Sequence, residues 1–564
     1  MATLIVPGVS VEARFDVLPP LPAAAGILGA VGIVDRPPPA GRLVGVTRVS
    51  ELVELLGPGT EASMPEVLHA LRNGCREVVV SAVAGGAPAR ATLVNSEGDP
   101  ALRLRARSNG SWGNELGADA RAIINADSVV VRVTLRILRG GQEVERFDDL
   151  VVDPGSPLDL FAIVNRLSKY VVAIDPGFEG DDPQAGSYPL DEDGRAAVPQ
   201  VDAAATTLMV VEALPGVAPE GVTVVIQGSD DDIRFEVLRN GTRQELFEGL
   251  TMDPDSDRHL AAVIAANSQV VQVQAQSSLP EDQRLPAATA TPVAFTSGSS
   301  PNVDAYRTAI DRLADDTRID LVLAAIEPGR DAAEVSQIHQ ALVGHSVAMA
   351  DNAAPRIAFG SVPRSLATNR DAIRDHAAAV RNRRMVLVSP PGAAGAVAGL
   401  VGRMTPMDSP TFKPVPLHGI APASYRESEL NQLLGPTTNL CVVQNRAGRG
   451  VVVLKGIDTT GDQISVTRVA DQAIRETKAI AENFIGRLNS DDARTALQQQ
   501  LVATFTRMER AGALVPSTDG TDPAFVVDVY STQQDFAQGI VRIDIAVRPV
   551  RAIDYVYATI RVKN

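Results

Sequence analysis

Leu321-Val-Leu-Ala-Ala325, Arg356-Ile-Ala-Phe359 and Met385-Val-Leu-Val-Ser389 are three short apolar runs set along one stretch of the chain. Helical spacing fills the gaps between them, near Ala333–Leu342 and over Asp371–Asn382. Ahead of the first run, Val303, Tyr306, Ile310 and Leu313 also recur at helical intervals. Apolar strands alternating with amphipathic helices predict a sheet built from βαβ units.

The same character appears near the N-terminus. Gly26-Ile-Leu-Gly-Ala-Val-Gly-Ile-Val34 reads as a buried strand of small residues, followed by the turn Pro37-Pro-Pro-Ala-Gly41. Ser50 can cap a helix from Glu51 to Leu56 that stops at Gly57-Pro58-Gly59. A second helix, about Met64 to Arg72, ends at Asn73-Gly74, and Glu77-Val-Val-Val-Ser-Ala-Val83 is the next strand. Strand, two helices, strand is again an α/β layer.

Between these two α/β segments the chain turns β-rich, and there it repeats itself. Leu138-Arg-Gly-Gly141 aligns with Leu238-Arg-Asn-Gly241, and Glu145, Phe147 and Leu150 align with Glu245, Phe247 and Leu250. Asp153-Pro154, Ser156, Leu160, Ser168 and Val171 all have counterparts one hundred residues on. Each copy predicts a hairpin, an Asp-Pro turn, a short helix and a strand. Two tandem small domains are expected, at 88–180 and 198–280. The acidic stretch 175–197 is read as the linker between them, and the Ser, Pro, Ala and Thr-rich stretch 277–301 as a second linker.

The C-terminal part carries the clearest periodicities. Gly450-Val-Val-Val-Leu454 is a strand, and Ile464-Val466 is expected to begin another. Ala470, Ile474, Thr477, Ala481, Phe484 and Leu488 line one face of a predicted helix, with Asp471, Arg475, Lys478 and Glu482 off it. Ser490, with Asp491 and Asp492, caps a further helix bearing Leu497, Leu501, Phe505 and Met508, which Gly512 ends. Alternating strands follow: Val541, Ile543, Ile545 and Val547, then Val556, Ala558, Ile560 and Val562. At the other end, Val9, Val11 and Ala13 alternate with Ser10, Glu12 and Arg14 after the break at Pro7-Gly8. With no hairpin partner nearby, this reads as an extended arm that pairs elsewhere.

The chain has 564 residues and a net charge of −16 from 52 basic and 68 acidic side chains. That length suits roughly three or four domains, and that charge argues against a nucleic-acid binder or an anionic-membrane binder. Cys75 and Cys441 fit no metal or redox spacing, so a reducing compartment is expected. The N-terminus shows no signal-peptide pattern and no run approaches a membrane span, so synthesis in the cytosol is expected.

A search for chemistry returns no catalytic, metal or cofactor site. Pro390-Pro-Gly-Ala-Ala-Gly-Ala-Val-Ala-Gly399 follows a strand as a phosphate loop would, but lacks GxGxxG and GK[ST] spacing and reads better as a packed βα turn. The six histidines, His69, His259, His339, His345, His376 and His418, show no ligand pattern. No GxSxG is present, and Asp191-Glu-Asp-Gly and Asp230-Asp-Asp lack a calcium loop's ligand series. Trp112, the only tryptophan, sits in a turn and reads as a small-domain core residue rather than a stacking platform.

Taken in order, these features resemble contractile tail sheath proteins, of phage tails or phage-tail-like injection systems. The family's Pro-Gly-Val-x-Val-Glu arm is matched by Pro7-Gly-Val-Ser-Val-Glu12, and its small-residue strand and turn by Ala30-Val-Gly-Ile-Val-Asp-Arg-Pro37. Its short helix before a Gly turn is matched by Val49-Ser-Glu-Leu-Val-Glu-Leu-Leu-Gly57. Leu71-Arg-Asn-Gly-Cys-Arg-Glu-Val-Val-Val80 corresponds to its helix end and Val-rich strand. Gly512-Ala-Leu514 and Gly539-Ile-Val-Arg-Ile-Asp-Ile-Ala-Val-Arg-Pro-Val550 correspond to its C-terminal turn and strands. One departure is Lys455-Gly-Ile-Asp-Thr459, where the family has a Gly-x-Arg-Thr-Leu turn.

The resemblance implies an α/β and α+β multidomain chain. It would comprise an N-terminal arm (1–25), a sheath α/β domain in two parts (26–87 and 301–420), the two inserted domains, and a C-terminal domain (421–564) ending in a strand arm. It implies a structural, non-enzymatic subunit that assembles with itself as stacked helical rings around an inner tube, between baseplate and terminal cap proteins. It also implies assembly in the cytoplasm, with no nucleic-acid partner and no membrane insertion. Pro7, Gly8, Val9, Val11 and Glu12, with Val556, Ala558, Ile560 and Val562, would be intersubunit strands. Asp471, Arg475, Lys478 and Glu482 would face the tube. A secreted adhesin or surface-array protein would explain 88–280 but not the α/β segments. A Rossmann-like enzyme would need a phosphate loop that the sequence lacks.

Overall fold

The computed structural model describes residues 26–125, 129–153, 156–176, 182–201, 207–214, 216–229, 232–253, 256, 258–275 and 283–554. The arm positions Pro7, Gly8, Val9, Val11, Glu12, Val556, Ala558, Ile560 and Val562 lie outside them.

The first elements are β1 (Ile27–Gly32), β2 (Val44–Val46), helices α1 (Val49–Leu56), α2 (Thr60–Ser63) and α3 (Pro65–Arg72), and β3 (Glu77–Ala82). β1 and β3 run parallel, from Ile27 opposite Glu77 to Gly32 opposite Ala82. Between α3 and β3 the chain turns through Asn73 and Gly74, whose φ of +92° suits a residue without a side chain.

The chain then leaves the sheet for a long insertion built as two similar units. The first holds β4 (Arg90–Val94), β5 (Pro100–Ala106), β6 (Leu116–Ile124), β7 (Val130–Arg139), β8 (Gln142–Leu150), α4 (Leu160–Leu167) and β9 (Val171–Ile174). The second holds β10 (Gly186–Pro189), β11 (Arg195–Pro199), β12 (Thr207–Ala213), β13 (Val222–Gln227), β14 (Ile233–Arg239), β15 (Thr242–Leu250), α5 (Leu260–Asn267) and β16 (Val271–Ala275). A last short strand, β17 (Val293–Ala294), lies on the return path. The first unit pairs its strands as β4-β5-β9 and β17-β6-β7-β8, the second as β11-β12-β16 and β10-β13-β14-β15. Each has its own apolar core.

The sequence repeat recurs in the geometry. Val133 opposite Leu150 and Leu135 opposite Phe147 become Ile233 opposite Leu250 and Phe235 opposite Phe247, with the bulges at equivalent places. In each unit a buried-side glutamate holds the turn after the helix. Glu145 accepts from the Ser168 hydroxyl and the Lys169 amide, both at 2.6 Å. Glu245 accepts from Ser268 and Gln269 at the same distance.

Neither expected linker is only a linker. Strands β10 and β11 fall inside or across the end of 175–197, and β17 inside 277–301. Ser299 and Thr296 also bridge to Ala87 and Arg90. Strands this short have no alternation to read. Their pairing is decided by the sheet edges that neighbours offer, which a local pattern does not contain.

The second unit is inserted at one point of the first. Ile174 pairs with Arg103 on β5, while the returning chain meets the β4–β5 turn through Asn95 to the Gln283 carbonyl and Ala287 to the Val94 carbonyl. Joining 176 to 283 through a short Gly-Ser linker should therefore leave the first unit complete. We expect that deletion variant to be soluble, with one cooperative melt close to that of the full chain. An insoluble product, or a melt at much lower temperature, would contradict the nested arrangement.

After the insertion come α6 (Val303–Arg312), β18 (Leu321–Ala324), α7 (Ala332–Asp351), β19 (Ile357–Ser361), α8 (Arg370–Ala379), β20 (Met385–Ser389), α9 (Ala394–Arg403), α10 (Glu427–Leu433), β21 (Cys441–Arg446) and β22 (Gly450–Val453). They complete one eight-stranded sheet of order β2-β3-β1-β18-β19-β20-β21-β22. The strands from β3 to β21 are parallel and the two edges antiparallel. Because β3 and β18 both flank β1, the insertion leaves the sheet continuous. Leu52, Val67, Val397 and Leu400 cover one face, and Tyr306, Ile310, Ile338, Leu342 and Ile373 the other. β21 and β22 belong to this sheet, so the separate C-terminal unit starts later than the expected 421.

Trp112 is buried where the first inserted unit meets the sheet domain. Its backbone amide donates to Glu327 at 3.3 Å and its indole to the Asn109 carbonyl at 3.0 Å. Asp35 of the sheet domain faces Arg107 of the insertion, both side chains almost wholly buried.

Candidate assembly surface

The C-terminal unit consists of α11 (Ile464–Glu482), α12 (Asp491–Arg510), β23 (Phe525–Tyr530), α13 (Gln533–Ala537) and β24 (Arg542–Val547). Ser490 caps α12 by accepting from the Ala493 amide, and Gly512 leaves it at φ +79°. Ile464 opens a helix, not the expected strand. Its β-branched neighbourhood favours a strand locally, but burial on several sides decides the outcome.

β23 and β24 form an antiparallel pair from Phe525 opposite Val547 to Tyr530 opposite Arg542. Phe525, Val527, Val529, Ile543, Ile545 and Val547 pack on Leu497, Leu501, Phe505 and Met508. Val526, Asp528, Arg542 and Asp544 point to solvent. Among the described residues this sheet has two strands only. A pair this small is stable because α12 backs it, and it leaves outer edges on which a further strand can be laid.

Beside it lies an apolar surface. The turn after α11 is tied to the segment before β24 by Asn489, which donates to Ser531 Oγ and to the Ile540 carbonyl. Ile485 and Leu488 are 82% and 86% exposed, and Phe536 and Ile540 are exposed as well. Exposed side chains of this size gathered at one end of a domain mark a contact surface.

The charged positions expected to form an open face are placed differently. Asp471 is buried and pairs with Arg384 through two bonds of 3.0 and 3.1 Å. Arg475 donates to the carbonyls of Thr317, Ile319 and Pro355 at 2.8, 2.6 and 2.7 Å. Lys478 reaches the Asn352 carbonyl at 3.4 Å, and Glu482 is exposed. Asp471 and Arg475 are therefore spent on contacts within the chain.

The apolar face is also displaced. Val469, Ala473 and Ile480 are buried, while Leu488 lies beyond the helix end and in solvent. The physical reason is that α11 has two partners. One side packs on α12, the other on loops leading into β18, β19 and β20, whose carbonyls need donors. Periodicity does not distinguish a polar face that meets water from one that meets protein. The sequence reading missed Arg384, Arg468 and Asp320. Asp320 accepts from the amides of Gly26 and Ile27, and its place directly before an apolar strand was the available signal.

Residues 458–563 match the family described as the phage tail sheath C-terminal domain. Over this segment, about a fifth of its length, the chain is similar to phage tail sheath proteins. The family is one of structural sheath proteins. Similar solved structures include the sheath tail protein of Desulfitobacterium hafniense, at 12% identity over 97% of both chains with a TM-score of 0.46. That of Listeria innocua is 10% identical over 94% of this chain and 92% of its own, with a TM-score of 0.46. The helical sheath of the anti-feeding prophage in its contracted state is 18% identical over 48% of this chain and 78% of its own, with a TM-score of 0.37. Comparison with curated proteins gives no match. Among the described residues no helix is long and apolar enough to cross a membrane, and no group of three metal-ligating side chains is placed to hold an ion.

A concave region lies above the carboxyl ends of β18, β19 and β20, between α3 and the first inserted unit. Glu66 of α3 lines it with a buried side chain. Burial pushes this carboxyl from its ordinary 4.5 up to about 7, a little offset by Arg139 nearby. A raised acid pKa in the fold stabilises it at pH 5 and loses that contribution as pH rises through 7. We expect Glu66→Gln to remove a fall in stability of about 2–3 kcal/mol between pH 5 and 8. Melting temperatures of both proteins across that range check this, and parallel curves would contradict it.

Proposed function

We propose that the chain is the self-assembling subunit of a contractile sheath that surrounds an inner tube and contracts to drive it through a target envelope. The observation that carries this reading is the C-terminal unit: a segment of the sheath family, ending in a two-stranded sheet beside exposed apolar residues. An extended arm of one copy, Pro7 to Glu12, and the strand Val556 to Val562 would add to the sheet of a neighbour. Main-chain bonds supply the affinity for such strand addition, and contacts between unlike surfaces propagate a helix instead of closing a ring pair. Contraction would then move subunits as rigid bodies hinged at the strand links.

The apolar turn around Ile485 and Leu488, with Glu482 and the partly exposed Lys478, is the surface we assign to the inner tube, in place of Asp471 and Arg475. Baseplate and terminal cap proteins would hold the two ends of the lattice, assembled in the cytoplasm. Deleting residues 1–15 tests the reading. Electron microscopy should show hollow cylinders from the full chain, and dispersed particles with unchanged circular dichroism from the deletion. Normal cylinders after deletion would remove the arm mechanism. Absence of cylinders from the full chain under any condition would remove the sheath reading.

A further inference from the structure

The crevice beside Glu66 has a volume of about 680 Å³. Its place, outside the carboxyl ends of parallel strands, is where open α/β sheets take ligands. Most charges around it already have opposite partners. Glu61 meets Lys169 at 2.9 Å, and Glu115 meets Arg139 at 3.1 Å and Arg364 at 3.8 Å. Arg330 lies 2.9 Å from Glu334 and over the ring of Tyr306, with Glu327 at 3.9 Å.

Glu66 takes part in none of these pairs. Its Oε2 is buried without a hydrogen-bond partner. One turn along the same face of α3, His69 shares its Nε2 with the His418 carbonyl at 2.8 Å, so that nitrogen carries the hydrogen and the unpartnered Nδ1 is left as an acceptor. Arg139 acts on Glu66 through its charge, while its guanidinium is bonded to Glu115 and stacked over Trp112. These acceptors line the cavity together with Glu327, whose Oε2 is also unbonded, while Arg330, with unbonded Nε and Nη1, is turned toward Glu334 and Tyr306; orphaned acceptors of this kind are rare without a ligand or water.

We propose that this crevice binds a small organic cation, an alkylamine or guanidine, whose N–H groups donate to Glu66 and His69. Binding would hold Glu66 ionised, so affinity should rise with pH through neutrality and proton release should accompany binding at pH 6.5. It would also bridge the sheet domain and the first inserted unit, since α3 forms one wall and β7 and β8 the other.

Calorimetry of the full chain with putrescine tests this, with butane-1,4-diol as the neutral analogue. The expected result is a saturable heat for the diamine only, weakened by at least about tenfold in Glu66→Gln. Val144→Lys, at the crevice mouth, should weaken it similarly by placing its own ammonium in the cavity; circular dichroism establishes that both variants are folded. No saturable heat up to about 10 mM, equal affinity in the folded Glu66→Gln variant, or equal binding of the diol would each overturn the proposal.

Discussion

Replacing Gly395 by valine is expected to leave little folded chain. A Cβ at this position would lie 2.0 Å from the Glu66 carbonyl oxygen and 2.6 Å from its carbon, and one at Gly399 would lie 2.4 Å from the Ala70 oxygen. All of these are backbone atoms of α3, so no rotamer change relieves the overlap. α3 and α9 would have to separate, and Val67, Ala70, Val397 and Leu400, now buried between them and the sheet, would lose contact. Overpacking a core commonly costs about 1–3 kcal/mol, and a clash with backbone should exceed that range. Urea unfolding of any soluble product is the measurement. Gly344→Ala is the control, because that helical glycine has open space around its missing side chain. It should gain up to about 1 kcal/mol from helix propensity. An unchanged midpoint for Gly395→Val would show that α9 does not pack as described.

Those glycines illustrate what the sequence could and could not disclose. The run from Pro390 to Gly399 was legible as a βα turn rather than a phosphate loop, because it lacks the spacing that phosphate binding needs. Its role in admitting the backbone of a helix over three hundred residues away was not legible, since nothing local names the partner. The parallel sheet was visible from Leu321, Ile357 and Met385 because buried strands of this type are continuous apolar runs. The hundred-residue repeat was visible because Glu145 and Glu245 perform the same task in both units. β10, β11 and β17 were hidden, being short strands whose existence depends on an edge supplied from elsewhere. In the C-terminal unit the strand Val541–Val547 could be read from its alternation, but its partner β23 was missed and the faces of α11 could not be read. A buried polar interface and a solvated one share a sequence pattern.

Asp471→Ala is expected to loosen the whole C-terminal unit from the sheet domain, for the same reason that its reading failed. The carboxylate and Arg384 form a nearly buried, doubly bonded pair. Around them lie Arg356, whose guanidinium donates to the Asp316 carbonyl, Arg468, which donates to the carbonyls of Met404 and Thr405, and Arg475. Removing this carboxylate leaves Asp320 to face the guanidinium groups with less opposing charge. Breaking a buried pair from one side costs about 3–5 kcal/mol, whereas replacing both partners by apolar side chains is often neutral. The single variant should therefore unfold its C-terminal helices before the sheet, giving two transitions where the wild type gives one. Arg384→Met combined with Asp471→Leu should bring the transitions back together. Hydrogen exchange over 464–510 locates the early event, and protection unchanged in Asp471→Ala would contradict this account. If the single variant behaves as expected, its assembly is informative too. Under the proposed sheath function, rigid-body motion needs α11 fixed to the sheet, so cylinders formed by this variant should be irregular.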